Sequence, residues 1–174
     1  MSAVGLDIRH FGHDDLADVR QTVIDLHAAA SGPDRDDFSK RFPWFVDHWG
    51  ENPGFACVIA YENDVAVGFA YGAPAAEGRE WWRESLDTVP EKSRTLSYSE
   101  LAVHPKMRKR GLAYALSRAL LDDRDEDLVV LLVDVEHPRV QALYEDWGFR
   151  KVGERRPFPD SPRYAVMLAH LPLR

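Results

Sequence analysis

From His104 to Leu116 the chain reads HPKMRKRGLAYAL, which places Lys106, Arg108, Lys109 and Arg110 directly ahead of Gly111 and an apolar stretch with helical spacing. The first turn of a helix leaves backbone N–H groups without partners, and the aligned peptide dipoles put about half a positive charge there. Basic side chains just upstream make such a start a site for a polyanion. Gly111 and the small Ala113 let a phosphate approach the backbone closely. Arg-x-x-Gly-x-Ala has neither the spacing of a nucleoside-triphosphate loop nor that of a dinucleotide fingerprint, so the motif points to a pyrophosphate held in another way. A nucleic-acid partner is set aside, because such proteins spread charge over a face. Here 22 Lys and Arg stand against 29 Asp and Glu, a net charge of −7 that would be −11 without those four basic residues.

The elements that must position this cluster follow from periodicity. The 174 residues, 45% of them hydrophobic, suit one domain over 1–174 with a real core. The N-terminus shows no secretory pattern and no run is long enough for a membrane helix, so a cytoplasmic protein without a membrane partner is expected. Cys57, alone in "FACVIAY", reads as a small core residue. "GLDIRHF" predicts a first strand, and Asp14 or Asp15 caps a helix with Leu16, Val19, Val23, Leu26 and Ala30 on one face. Phe38, Phe42, Phe45, Val46 and Trp49 predict one stripe on a second helix. "FACVIAY" and "VAVGFAYG" flank the polar Glu62-Asn63-Asp64, a hairpin signal. Residues 74–94 read as an insertion with a short helix around Trp81 and Trp82, followed by the strand "TLSYSELAV". After the basic motif come a helix over 111–121, a polar turn, the apolar "LVVLLVDV" of a strand buried on both faces, the helix "RVQALYEDWG" and two last strands.

"ELAVHPKMRKRGLAYAL" resembles the acetyl-coenzyme A binding segment of the GCN5-related N-acetyltransferases. "HPRVQALYEDWGF" resembles that family's second signature through Leu143-Tyr144 and Gly148-Phe149. The resemblance implies an α/β fold with a mixed, mostly antiparallel sheet of about seven strands, flanked by about four helices and splayed between the fourth and fifth strands. It also implies acetyl-coenzyme A as acetyl donor. Arg108, Lys109, Arg110, Gly111, Leu112 and Ala113 would hold its pyrophosphate, and Leu101, Ala102 and Val103 would pair with its pantetheine amides. His137, where many members carry Asn, and Tyr144 would complete the cofactor side. Trp44, Trp49 and Tyr98 are the candidates for the acceptor side, where aromatic walls suit a cationic amine.

The chemistry of that transfer asks for two proton carriers. An alkyl ammonium has a pKa of about 10.4, so its use as a nucleophile at pH 7 costs roughly 4 to 5 kcal/mol unless a base removes the proton. Glu100 is the candidate base, acting through a water. On a strand, Tyr98, Glu100 and Ala102 share one face, and a carboxylate in this apolar strand end is out of place unless it works. Its other reading is a structural carboxylate that caps or pairs with Arg94 or Arg108. Tyr144 matches the family's general acid for the leaving thiolate, and otherwise reads as a core aromatic in line with Val140 and Trp147. No metal is expected, since no His pair has ligand spacing. The reading is therefore an N-acetyltransferase acting on a primary amine of a small molecule, with an acyl-coenzyme A sensor of the same fold as the alternative. "REWWRESL" is open to use as a homodimer contact, since two adjacent Trp are not expected to face one core.

Overall fold

The computed structural model describes residues 6–33 and 35–173. Seven strands form one sheet: β1 (Leu6–Gly12), β2 (Ala56–Glu62), β3 (Val65–Pro74), β4 (Thr95–Val103), β5 (Leu128–Asp134), β6 (Arg150–Arg155) and β7 (Tyr164–His170). Their order is β1-β2-β3-β4-β5-β7-β6, and β4 and β5 run parallel in an otherwise antiparallel arrangement. The helices are α1 (Leu16–Ser31), α2 (Asp37–Lys40), α3 (Phe42–Gly50), α4 (Leu112–Leu121) and α5 (Pro138–Asp146). This is the mixed α/β architecture expected, with five helices among the described residues where about four were anticipated. The first strand opens at Leu6; Gly5, included in the sequence reading, lies outside the described residues.

Two compact units divide the chain, the described parts of Met1–Ala73 with Glu100–Leu120, and of Pro74–Ser99 with Leu121–Arg174. In the first, Asn63 and Asp64 form a two-residue turn with φ of 50° and 67°, the left-handed geometry that matches the twist of a β-hairpin. That turn places Glu62 opposite Val65, and a one-residue irregularity between Ala60 and Tyr61 then shifts the β2–β3 register so that Cys57 faces Tyr71 and Ile59 faces Phe69. These four side chains, with Ala102 of β4, pack beneath Val19, Val23 and Leu26 of α1 and Phe42 and Val46 of α3. Arg20 of α1 grips Asp47 of α3 with two bonds of 2.6 and 3.0 Å. The single stripe read over 38–49 is split at Arg41, because Pro43 lacks the N–H that a continuous helix would direct to Ser39 and its ring would meet that carbonyl. Trp49 faces the core from α3 while Trp44 points outward. Cys57 is buried and desolvation pushes its thiol up to about 12, which leaves it an unreactive core residue as read.

In the second unit, β5 pairs with β7 over its whole length, from Leu128 opposite His170 to Asp134 opposite Tyr164. Its pairing with β4 runs over Thr95–Ser97 against Leu128–Val130. The short helix expected at Trp81 and Trp82 is a run of turns, closed by bonds from the Arg83 N–H to the Glu80 carbonyl and from the Ser85 N–H to the Trp82 carbonyl. Glu80 and Trp82 are both drawn inward; two residues apart, they would point to different sides of a helix. Trp82 donates to Thr95 Oγ1 at 3.0 Å, and Trp81 packs, partly exposed, against the same cluster of Leu128, Val130, Val166 and Leu168. Adjacent tryptophans thus share one core, which removes the reason for assigning them to a dimer contact.

The two edge strands carry charge. Arg9 of β1 pairs with Asp7 and Asp64 and lies 4.1 Å over the Tyr61 ring. On β6, Glu154 takes both Lys151 and Arg163.

Candidate functional site

The basic motif folds in the first unit as a turn and a helix start. After β4, Pro105–Met107 make a 3-10 turn capped by His104, whose Nδ1 accepts from the Lys106 N–H at 3.2 Å. Buried Met107 pins this turn to the core. The backbone then passes through two left-handed residues, Lys109 with φ 64° and Gly111 with φ 79°, before α4 begins at Leu112. Alternating backbone handedness turns successive N–H groups toward one side, which is how peptide nests cradle anions. A Cβ at Gly111 would meet no protein atom within 4 Å, so the demand for glycine comes from φ, with open space left where an anion would lie. The helix is held down by Leu112 and Leu116, which sit over Gly68 of β3; a Cβ there would come within 3.1 Å of Leu116 and 3.2 Å of the Ala102 carbonyl.

The four basic side chains differ in what they do. Arg108 donates to the carbonyl of Ala30, at the C-terminal end of α1, at 2.8 Å. Arg110 lies 3.7 Å from Glu62 and against Met107 Sδ. Lys106 and Lys109 are exposed. The cluster therefore combines a tie to α1 with free cationic heads around the turn.

Glu100 lies on β4 ahead of this turn. Protein crowds its carboxyl, and desolvation raises its pKa to about 8, although a hydrogen bond with the Leu101 backbone pulls the other way. The two arginines of the ion-pair reading have other partners: Arg94 lies 3.7 Å from both Asp125 and Asp127, and Arg108 donates to the Ala30 carbonyl. An uncompensated carboxyl with a pKa near 8 is suited to exchanging protons around neutrality. Leu101, Ala102 and Val103 follow it on β4, and the His104 N–H closes onto the Val67 carbonyl at 2.8 Å. Trp44 is 56% exposed and its ring stacks on His48 at 5.1 Å and 7°.

The second unit holds the other candidates. Tyr98 is buried on β4. His137 stands at the N-terminus of α5 without a capping side-chain bond, its Nε2 3.8 Å from Asp134. Tyr144 is buried at the other end of α5, its ring edge-on to Trp147 at 5.1 Å and to Phe149 at 5.6 Å. Gly148, with φ 101°, closes the helix and lets the Phe149 N–H return to the Tyr144 carbonyl. Val140 is exposed, so the packing imagined for Tyr144 with Val140 is replaced by packing with Trp147 and Phe149. Among the described residues no cluster of His, Cys, Asp or Glu is arranged to hold a metal, and no helix is long and apolar enough to cross a membrane.

This arrangement of strand, left-handed turn and helix has relatives. The profile of the acetyltransferase (GNAT) family matches residues 21–149, and the chain belongs to that family. A GCN5-like protein acetyltransferase of Mycobacterium tuberculosis is 34% identical over 127 residues, 64% of this chain and 61% of the relative, so the match spans about three fifths of that protein. Among solved structures, a protein described as a GNAT-family acetyltransferase from Desulfovibrio desulfuricans superposes with a TM-score of 0.69 at 17% identity, covering 95% of this chain and 98% of that one. A Salmonella typhimurium protein described as an acetyltransferase and solved with its cofactor acetyl-CoA gives a TM-score of 0.60 at 18% identity over 95% and 94% of the two chains. At these identities the structural likenesses show the fold.

Proposed function

We propose that this protein transfers an acetyl group from acetyl-coenzyme A to a primary amine by direct attack. The observation that carries the reading is Glu100, a crowded carboxyl without a cation, raised to about 8, on the strand that leads into the left-handed turn at the start of α4. Acetyl-coenzyme A, when bound, supplies the activated thioester carbonyl. Lys109, Arg110 and the N–H groups from Lys109 to Ala113 would hold its pyrophosphate, and Leu101, Ala102 and Val103 offer backbone groups to its pantetheine arm. Glu100 takes the ammonium proton through a water, which supplies the free amine at neutral pH. Tyr144 returns a proton to the sulfur that leaves. His137 is assigned to the cofactor arm, and Trp44, Trp49 and Tyr98 are assigned to the acceptor side.

A small-molecule amine is the first reading of the acceptor, supported by the aromatic residues of α3. A lysine side chain of a protein is the second, favoured by the name of the Mycobacterium tuberculosis relative. Thiol release from acetyl-coenzyme A, measured against a panel of polyamines, amino acids, aminoglycosides and lysine peptides with the product mass identified, tests both. Acetylated product from one class decides the acceptor. Tight cofactor binding with no product from any class overturns the catalytic reading in favour of an acyl-coenzyme A sensor.

A further inference from the structure

Tyr71 carries no motif signal in the sequence, yet the fold brings it beside Glu100. The bond from the His104 N–H to the Val67 carbonyl fixes β4 against β3. β3 and β4 are neighbours in the sheet, and Tyr71 and Glu100 lie close enough for the Glu100 charge to act on the Tyr71 hydroxyl. Their faces agree as well. Phe69 and Tyr71 of β3 share the layer beneath α1 and α3 with Ala102 of β4, and Glu100, two residues from Ala102, projects to the same side.

The Tyr71 side chain is fixed in place. It is 1% exposed, and Phe69, Phe42 and Phe55 surround its ring at 5.9, 6.2 and 5.5 Å between centroids. A buried tyrosine hydroxyl ordinarily finds a partner. None of the described residues gives the Tyr71 hydroxyl a hydrogen bond, and the hydroxyl is not one of the fully buried atoms left without a partner, so its oxygen keeps a little access to solvent. A donor held rigidly next to an uncompensated carboxyl, without a partner of its own, is arranged to serve a group placed between them.

We propose that Tyr71 is a positioning residue for the transfer reaction: its hydroxyl donates a hydrogen bond to the water through which Glu100 takes the amine's proton. The proposal rests on the reading of Glu100 as base and adds the residue that orients its water. The proton passes from the ammonium to the water while the water's own proton passes to the Glu100 carboxylate, and the tyrosine proton stays on its oxygen throughout. That oxygen keeps its proton because burial, joined by the nearby Glu100 charge, lifts the hydroxyl well above its ordinary value.

The groups that face Glu100 leave it as the one that titrates near neutrality. From β2 comes Cys57, pushed by desolvation up to about 12. From α1 comes His27, stacked on Phe42 at 3.7 Å and lowered to about 4 by burial, with Arg35 adding to the effect. From α3 the inward residues Phe42, Val46 and Gly50 carry no titratable group, and on β4 itself Tyr98 shares the side of Glu100.

The test is a carbon-13 titration of the Glu100 carboxyl, its resonance assigned by its loss in Glu100→Gln, in the full chain and in Tyr71→Phe. Phenylalanine keeps the ring and its packing and removes the donor. A donor that favours the charged carboxylate lowers its pKa, so Tyr71→Phe should raise the midpoint by about one pH unit, and thiol release at pH 7 with the best amine of the panel should fall about tenfold. The loss should fade once pH passes the new midpoint, a behaviour that a merely structural role does not produce. An unmoved midpoint in folded Tyr71→Phe overturns the proposal. Should that variant fail to fold, 3-fluorotyrosine at position 71, a more acidic donor, should lower the midpoint instead, and no movement there overturns it equally. Wild-type turnover by Glu100→Gln would remove the base reading by itself, while the titration still decides whether Tyr71 reaches the carboxyl.

Discussion

Two glutamates, one in each compact unit, are withdrawn from water and end in opposite ranges. Glu80 is 4% exposed in the turns before β4, and desolvation acts to raise its pKa. The Arg83 fork at 2.8 and 2.9 Å and the Gly78 N–H at 3.0 Å outweigh that effect, so the carboxyl stays below its ordinary value. Glu100 meets desolvation with only the Leu101 backbone against it, and rises to about 8. Desolvation acts on both; the difference is the cation. Arginines stand near Glu100 in sequence, but Asp125, Asp127 and the Ala30 carbonyl engage them. A carboxyl kept apart from cations is suited to carrying a proton, whereas a fully paired one holds a loop in shape.

The contrast breaks most visibly at Glu100. Glu100→Gln should cut thiol release at pH 7 by about 10² to 10⁴ while acetyl-coenzyme A still binds, and higher pH should restore part of the loss by supplying free amine. The same substitution should act on stability in the opposite sense. The carboxyl titrates near 8 when folded against an ordinary 4.5, so between these values the folded state keeps a proton that the unfolded state releases, and stability falls as pH rises. Glu100→Gln removes that fall, so its melting temperature should exceed that of the wild type increasingly from pH 5 to pH 8. A constant difference across that range would argue that Glu100 is not raised.

Arg83→Ala makes the reverse test, leaving Glu80 buried without its cation. It should lower the denaturant midpoint and leave the pH dependence of turnover unchanged. Since Glu80 is held below its ordinary value, its contribution is present above the unfolded pKa and should disappear as pH falls through the depressed one. A smaller effect is expected at the anion turn, where Arg108→Ala with Arg110→Ala should weaken acetyl-coenzyme A binding about tenfold by calorimetry. The smallest comes from Gly111→Ala, whose cost is the left-handed φ of 79° alone, about 1 kcal/mol of stability by thermal melting.

Local patterns carried much of the fold into the sequence. The Asn63-Asp64 turn, the start of α4 and the buried run of β5 all lie within a dozen residues of the features that reveal them. The break at Arg41 was hidden because the apolar stripe continues in phase across it, and the stop comes from a single proline ring. Trp81 and Trp82 misled because adjacency forbids a shared core on a helix and allows it across turns. Glu100 was legible as a misplaced carboxylate, but its lack of a cation was not, since that depends on where Arg94 and Arg108 spend their donors. Tyr71 was out of reach for a related reason. About twenty residues separate β3 from β4, and no short turn dictates their register as Asn63-Asp64 does for β2 and β3.

The charged edge strands have a consequence for how the chain behaves at high concentration. An open strand edge is a template on which another chain can add hydrogen bonds and begin an aggregate. On β1 that edge carries Asp7 and Arg9, which reaches Asp64 of the β2–β3 turn, and on β6 it carries Lys151 and Glu154 with Arg163 beside them. An incoming strand would have to strip water from these ions on either side, so the sheet resists growing outward into a fibre, and neutralising Arg9 and Lys151 should show first as turbidity on storage.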